Sequence, residues 1–322
     1  MIQTDHVTKT YRNGYKAVSD LNLRVDEGDI FGFLGPNGAG KTTTIRMLDG
    51  LLEPTDGKVT IGGMDIRKNP IEIKRMIGVV PESHGYYYWM TAKEYLTYFS
   101  SLFDSKTDNH VYITELLEKV GLADKANVTI GQFSRGMKQR LGVAKSLVNK
   151  PKIIFLDEPT LGLDPRGQRE IQQLLLQINR QDKITVFITS HLLKDIEVLC
   201  NKVSIIQNGI LIEQGSIPQL QQKYMAHYTM YIQTENNAAA KAVIKTMENV
   251  RSIDSTDHEK LEVKLKKGLS DEKISVVKHK ILTELFSAGL DIKEMAQKAL
   301  SMEDIFFRVT EEGKTERNGE KA

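Results

Sequence analysis

Two kinds of apolar spacing alternate along the chain. Ile30-Phe31-Gly32-Phe33-Leu34, Lys152–Leu156 and Ile184–Thr189 are short apolar runs, the mark of strands covered on both faces in a parallel sheet. A helix is expected over about Arg166–Arg180, between the last two, which gives a strand–helix–strand unit and an α/β fold. Before the first run, Leu21, Leu23 and Val25 alternate with polar residues and Glu27-Gly28-Asp29 interrupts them, so short strands joined by turns are expected there. Thr42–Leu52 reads as a helix, and Lys58–Ile61 as a further strand closed by Gly62-Gly63. Val203–Ile206 and Ile210–Glu213 flank Asn208-Gly209, the dipeptide of a tight hairpin turn.

Between about 83 and 150 helix dominates. Thr91-Ala92-Lys93-Glu94 has the spacing of a capping box and opens a helix through Phe99. A second helix is expected from about Val111 to Val120, ending at Gly121. A third begins after Ser134, with Met137, Leu141, Ala144 and Val148 stepping by three or four residues along one face.

The pattern breaks near residue 215, and a boundary is placed between 217 and 218. Residues 218–310 suit one small domain. Their order is strand (Tyr228–Gln233), helix (Ala238–Glu248), strand (Val250–Ser255), strand (Lys260–Leu265), helix (Asp271–Ala288) and strand (Leu290–Ala296). That is the βαββαβ order of a ferredoxin-like α+β fold. A last helix, Ser301 to about Thr310, carries Met302, Ile305, Phe306 and Val309 as an apolar stripe that must pack somewhere. Residues 311–322 are charged, lack large apolar side chains and are expected to form a disordered tail.

Bulk composition narrows the classes. At 322 residues two domains are the first expectation, and 40% hydrophobic with 27% charged residues suits a chain that forms a core. A formal net charge of +2 gives no electrostatic argument for nucleic acid, so no nucleic-acid partner is expected. No apolar run reaches the ~18–20 residues that cross a bilayer. Met1-Ile2-Gln3-Thr4-Asp5 has neither the basic start nor the apolar core of a secretory signal. Any membrane role is therefore expected to come through a partner. The one cysteine, Cys200, lies in an apolar stretch and reads as packed.

Candidate chemistry sits at the strand ends. Gly35-Pro36-Asn37-Gly38-Ala39-Gly40-Lys41-Thr42 follows the Ile30–Leu34 strand and opens the next helix, the context of a phosphate-binding loop. Glycines let the backbone turn its N–H groups onto a phosphate chain, and the helix start adds its positive dipole end. Lys41 can reach the β- and γ-phosphates, the Thr42 hydroxyl can ligate Mg²⁺, and Thr43 is grouped with the loop. Asp157, ending a buried strand, is assigned to Mg²⁺, and Glu158 to orienting the attacking water. His191 ends the Val186–Ser190 strand and is read as a γ-phosphate sensor. The other histidines show no ligand spacing, so no metal site made by protein alone is expected.

Together these residues resemble the ATP-binding subunit of an ABC transporter, from residue 1 to about 215. Phe133-Ser134-Arg135-Gly136-Met137-Lys138-Gln139-Arg140 is similar to the family's signature motif, Leu161-Gly162-Leu163-Asp164 to its D-loop, and Thr189-Ser190-His191 to its switch histidine. Tyr11 stands where the family places an aromatic that stacks on adenine. The resemblance implies a P-loop NTPase fold of ABC type, with antiparallel β and helical subdomains, and ATP with Mg²⁺ as cofactors. It also implies a head-to-tail pair of copies, with ATP held between one copy's phosphate loop and the other's signature, Ser134 and Gly136 included, and it counts Asp164 of the D-loop among the ATP-binding residues. Three residues depart from the pattern. Arg135 and Met137 replace a glycine and the glutamine of the usual L-S-G-G-Q, and Glu82 replaces the glutamine of the Q-loop. Glu82 would share in ATP and Mg²⁺ contacts while adding negative charge, and Arg135 either adds a phosphate contact or faces solvent. Ser83-His84-Gly85-Tyr86-Tyr87-Tyr88-Trp89-Met90 falls where the family receives a helix of the membrane subunit. Those aromatics would line that groove, pack between the lobes, or do both.

Glu82, the S-x-G-M-K-Q-R signature and Ser301-Met302-Glu303-Asp304-Ile305-Phe306 resemble the drug, antibiotic and lantibiotic exporters with separate ATPase and permease chains. The implied protein is an ATP-hydrolysing subunit on the cytoplasmic face of the cell membrane. It would dimerise on ATP and drive an integral-membrane permease outward. Two other readings stay open: a soluble ABC-type ATPase acting on ribosome or nucleic acid, and a regulatory or immunity protein that binds ATP without a permease. The C-terminal domain shows no catalytic constellation. Its Lys264, Lys266 and Lys267 read as a solvated face; the alternative is that the domain helps hold the dimer together or gates ATPase activity, and the apolar stripe favours dimer support.

Overall fold

The computed structural model describes residues 1–319 except 84, 104–109, 226–227, 257–259 and 299. The chain divides into two compact units, Met1–Ile217 together with the chain from Phe306 onward, and Pro218–Ile305. The first opens with β1 (Ile2–Thr10), β2 (Lys16–Leu21), β3 (Arg24–Val25), β4 (Ile30–Leu34), α1 (Lys41–Leu48), β5 (Asp56–Ile61), β6 (Met64–Asp65), α2 (Pro70–Met76) and β7 (Ile77–Val80). Helices α3 (Ala92–Ser101), α4 (His110–Lys119) and α5 (Arg135–Leu147) follow. The chain returns through β8 (Ile153–Asp157), α6 (Pro165–Asp182), β9 (Thr185–Ser190), α7 (Leu193–Leu199), β10 (Lys202–Gln207), β11 (Ile210–Ser216) and α8 (Ile217–Tyr224).

Two sheets build the first unit. One is antiparallel, in the order β2-β1-β5-β6 with β3 on β1. The other runs β11-β10-β4-β9-β8-β7 and is parallel except at the β11 edge. Every residue of β4, β8 and β9 is buried, which explains their nearly unbroken apolar sequences. Phe31, Phe33 and Phe155 each pack on Phe187, with ring centroids 5.5 to 5.6 Å apart. The expected capping box opens α3: Thr91 Oγ1 accepts from Glu94 N–H at 3.2 Å, and Glu94 Oε2 accepts from Thr91 N–H at 2.8 Å. Arg140 of α5 donates to the carbonyls of Val120 and Gly121 at 3.4 and 3.2 Å, placing a cation at the negative end of α4. α1 stops at Leu48, short of the expected Leu52, because Gly50 adopts a left-handed φ of 74° just after the Asp49 cap.

The second unit contains β12 (Thr229–Thr234), α9 (Asn237–Lys245), β13 (Val250–Ser255), β14 (Leu261–Leu265), α10 (Asp271–Ser287) and β15 (Ile292–Gln297). Its sheet has the order β13-β14-β12-β15, antiparallel throughout, which is the ferredoxin-like arrangement. Ala240, Ile244, Ile281 and Leu285 of the two helices share a core with Met230, Ile232, Leu261 and Val263 of the strands. Lys264 is not simply solvated. It lies 3.1 Å from Asp254 and 3.3 Å from Glu262, which also pairs with Lys298 at 2.9 Å. α11 (Met302–Gly319) extends past Thr310 into the stretch expected to be disordered, while residues 320–322 lie outside the described ones. The second unit ends at Ile305 rather than at 310. The stripe residues Met302, Ile305 and Val309 are buried by this chain itself.

Asp49 closes α1 while only 3% exposed. Burial pushes its carboxyl from 3.8 up to about 6, against the pull of the Leu51 N–H it accepts and of Arg46. A carboxyl that holds its proton more tightly when folded stabilises most below the unfolded value. That contribution is lost as pH rises through the folded value, here about 3 kcal/mol. Asp49→Asn should therefore flatten the fall in urea midpoint between about pH 4 and 6. Far-UV circular dichroism across the urea titration follows that unfolding.

Candidate nucleotide site

The parallel neighbours β4, β9 and β8 end side by side, with Leu34 paired to Ser190 and Asp157 to Thr189. The phosphate loop, His191 and Glu158 therefore leave the sheet at one edge. A cavity of about 440 Å³ opens there, a size that suits a small-molecule ligand. Pro36, Asn37, Gly38 and Gly40–Thr43 form one wall, and Glu82, Asp157, Glu158 and His191 face them. Tyr15, Ala17 and Leu161 complete the lining.

The loop passes so close to its neighbours that only glycine fits at two points. A side-chain carbon on Gly35 would stand 2.5 Å from the Ile206 carbonyl, and one on Gly40, at φ 106°, 2.6 Å from that of Ala17. The β10–β11 turn supports the loop from behind. Gly209 N–H donates to the Ala39 carbonyl at 3.0 Å, and the Gly209 carbonyl accepts from Ser19 N–H at 2.7 Å. Gly40 caps α1 without a side-chain acceptor, which leaves the helix start free to meet an anion. Lys41 Nζ donates to the Gly35 and Pro36 carbonyls at 2.7 and 3.3 Å, and lies 3.8 Å from Glu158 Oε1. Both side chains are more than nine-tenths buried, so each charge depends on the other and on the loop.

Glu158 has a left-handed backbone, φ 52°, which an L side chain adopts only under strain. Its N–H donates to the Thr189 carbonyl at 3.1 Å. Its Oε2 accepts from His191 N–H at 3.3 Å and lies 2.8 Å from His191 Nδ1, which puts the imidazole proton on Nδ1 when the carboxylate is ionised. Thr189 Oγ1 donates to Asp157 Oδ1 at 2.5 Å. Below the loop, buried Asp195 accepts from Thr160 and, at 3.0 Å, from Gln172.

Not every anticipated residue reaches the cavity. Tyr11 does not line it: its hydroxyl lies 3.2 Å from Thr43 Oγ1, and Tyr15, from the same turn, stands on the wall. Gly35 and Ala39 shape the loop from outside the lining. Ser134, Gly136 and Asp164 lie away from it as well. Ser134 Oγ accepts from Met137 N–H at 3.3 Å, and Asp164 Oδ1 from Gly167 N–H at 3.0 Å, capping α5 and α6. Tyr86 is buried with its hydroxyl on the Lys138 carbonyl, whereas Tyr88 and Trp89 are exposed. His84 of that run lies outside the described residues. Cys200 is packed, and burial pushes its thiol up. Among the described residues no cluster of three His, Cys, Asp or Glu side chains could hold a metal by itself. Thr42, Asp157 and Glu82 offer only oxygen donors on the cavity wall, a set that fits a hard divalent cation.

The ABC transporter family matches residues 18–161. A bacitracin transport ATP-binding protein of Bacillus licheniformis is 37% identical over 310 residues, covering 96% of this chain and 97% of its own. The chain belongs to the ATP-binding subunits of ABC transporters. A linearmycin resistance ATP-binding protein of Bacillus subtilis (strain 168) is 32% identical over 313 residues, 96% of this chain and 98% of its own. Among solved structures, a dimeric ATP-binding cassette in a post-hydrolysis state, bound to ADP and Pi, superposes with a TM-score of 0.59 at 29% identity. That match covers 67% of this chain and 98% of the cassette. This ABC subunit is accordingly an ATPase with the P-loop fold of its family. ABC ATPase domains pair with each other and with transmembrane subunits; among the described residues, no helix here is long and apolar enough to cross a membrane.

The strain at Glu158 can be measured apart from its ion pairs. Glu158→Ala and Glu158→Gly both delete the carboxylate, but only glycine takes φ 52° freely. The glycine variant should be the more stable by about 1 kcal/mol, the reverse of the usual order. Chemical denaturation of the two variants side by side checks this.

Proposed function

We propose that this ABC ATPase hydrolyses ATP in a head-to-tail pair with a second copy and drives export through a separate integral-membrane permease, at the cytoplasmic face of the cell membrane. The meeting of Lys41, Glu158 and His191 in one cavity carries the hydrolytic part of this reading. Lys41 would leave its loop carbonyls for the β- and γ-phosphates. Glu158 would orient the attacking water and take its proton. The water oxygen bonds to the γ-phosphorus while the bond to the β–γ bridging oxygen breaks, releasing ADP and inorganic phosphate. His191, held by Glu158, would face the γ-phosphate. Thr42, Asp157 and Glu82 would hold Mg²⁺, which offsets phosphate charge in a cavity already lined by three carboxylates. The turn bearing Tyr11 and Tyr15 would receive the adenine.

Pairing is supported by what one chain keeps out of its own cavity. Ser134, Gly136 and Asp164 stand outside the cavity, so they are available to a nucleotide held by the second copy. A side-chain carbon on Gly136 would touch nothing within 4 Å, and glycine weakens a helix. Its own fold does not require that glycine, whereas close approach from outside would. Exposed Tyr88 and Trp89 beside buried Tyr86 and Tyr95 suit the groove for a permease helix. Two of the relatives that match along nearly the whole chain are named for bacitracin transport and linearmycin resistance, which supports an antibiotic as cargo and export as the direction.

Glu158→Gln should lower ATP turnover by about 10²-fold or more. ATP-dependent dimerisation should persist in size-exclusion chromatography. Isolated with a tag from detergent-solubilised membranes, that variant should bring down a polytopic membrane protein. Recovery of ribosomes or nucleic acid alone would replace the permease with a soluble partner.

A further inference from the structure

Arg135 occupies a position that helix electrostatics disfavour. It is the first residue of α5, where the N–H groups already present partial positive charge. Among the described residues no ion pair compensates it. Its guanidinium instead lies against the D-loop of the same chain. A side-chain carbon built on Gly162 would stand 2.3 Å from Arg135 Cζ and Nη1 and 2.4 Å from Nη2. The planar group therefore fills the space that the missing side chain leaves, and Gly162 itself is left-handed, at φ 69°.

The contact leads to the chemistry in few steps. Leu161, next to Gly162, lines the cavity, and its N–H donates to the Glu158 carbonyl at 3.1 Å. Leu163 N–H donates to the Thr160 carbonyl at 3.2 Å, and the Thr160 hydroxyl is tied to buried Asp195. The floor of the loop is thus fixed, while Gly162 is an exposed rim covered by Arg135.

We infer that Arg135 is a positioning residue: its guanidinium holds the Gly162 rim of the D-loop and, through Leu161, sets the place of Glu158. The signature helix and the hydrolytic carboxylate of one chain are thereby coupled in cis. A glycine at 135, as in the usual signature, cannot make this contact, and a lysine lacks the flat group that lies on Cα. The inference rests on Glu158 as the hydrolytic carboxylate.

A double-substitution cycle in the full-length protein tests it. Arg135→Ala should lower kcat about tenfold, as misplacement of a reacting group does. The affinity for ATP should stay unchanged, the melting temperature should not fall, and Arg135→Lys should not restore the rate. Gly162→Ala should cost kcat in the native background, because the new methyl collides with the guanidinium. It should cost less in the Arg135→Ala background, where only the backbone strain remains. Strictly additive effects would overturn the inference. So would an Arg135→Ala protein with native kcat whose ATP-driven pairing fails in the Glu158→Gln background, since Arg135 would then act across the pair. Retention of turnover by Glu158→Gln alone would remove Glu158 from its role, yet the cycle would still report whether Arg135 and Gly162 are coupled.

Discussion

Three strands that run parallel, are buried on both faces and end in register dictate where everything else in the first unit can go. With β4, β9 and β8 adjacent, any residue one step beyond Leu34, Ser190 or Asp157 must leave the sheet at the same edge. The apolar character that makes these strands a core also makes their ends a dry place for charge. Lys41 and Glu158 face each other there at 3.8 Å, almost without solvent. In such surroundings a lone charge is costly, and a phosphate chain meets fixed dipoles instead of water.

That edge is held by features with no direct part in chemistry. Asp195 fixes Thr160, Thr189 joins Asp157 to the backbone of Glu158, and Ala17 and Ile206 leave room only for glycine in the phosphate loop. These contacts over-determine Glu158, whose left-handed backbone would otherwise relax. The strain lies in the residue proposed to orient the attacking water.

Much of this could be read from the sequence. The buried strands declare themselves as apolar runs, Thr91 and Glu94 form the expected capping box, and Asn208-Gly209 makes a turn with both φ angles positive. The phosphate loop, Asp157, Glu158 and His191 meet because parallel-strand topology can be inferred from element order. What stayed hidden depends on packing. α2 and α7 have seven residues each, too few for a helical period to show. Tyr11 and Tyr15 belong to one turn, and only its folding decides which ring faces the cavity. The place of Arg135 follows from how α5 packs beside the loop after β8, a relation that local spacing does not encode.

The Asn208-Gly209 turn looks, by sequence, like an ordinary surface hairpin, the kind of place where chains accept extra residues. Here Gly209 grips Ala39 on one side and Ser19 on the other, so the turn is a wedge behind the phosphate loop. Lengthening it by even one residue would pull the loop out of shape far from any nucleotide contact. Epitope tags, fluorescent insertions and circularly permuted ends therefore belong elsewhere on this chain, and natural length variation at this hairpin should be rare.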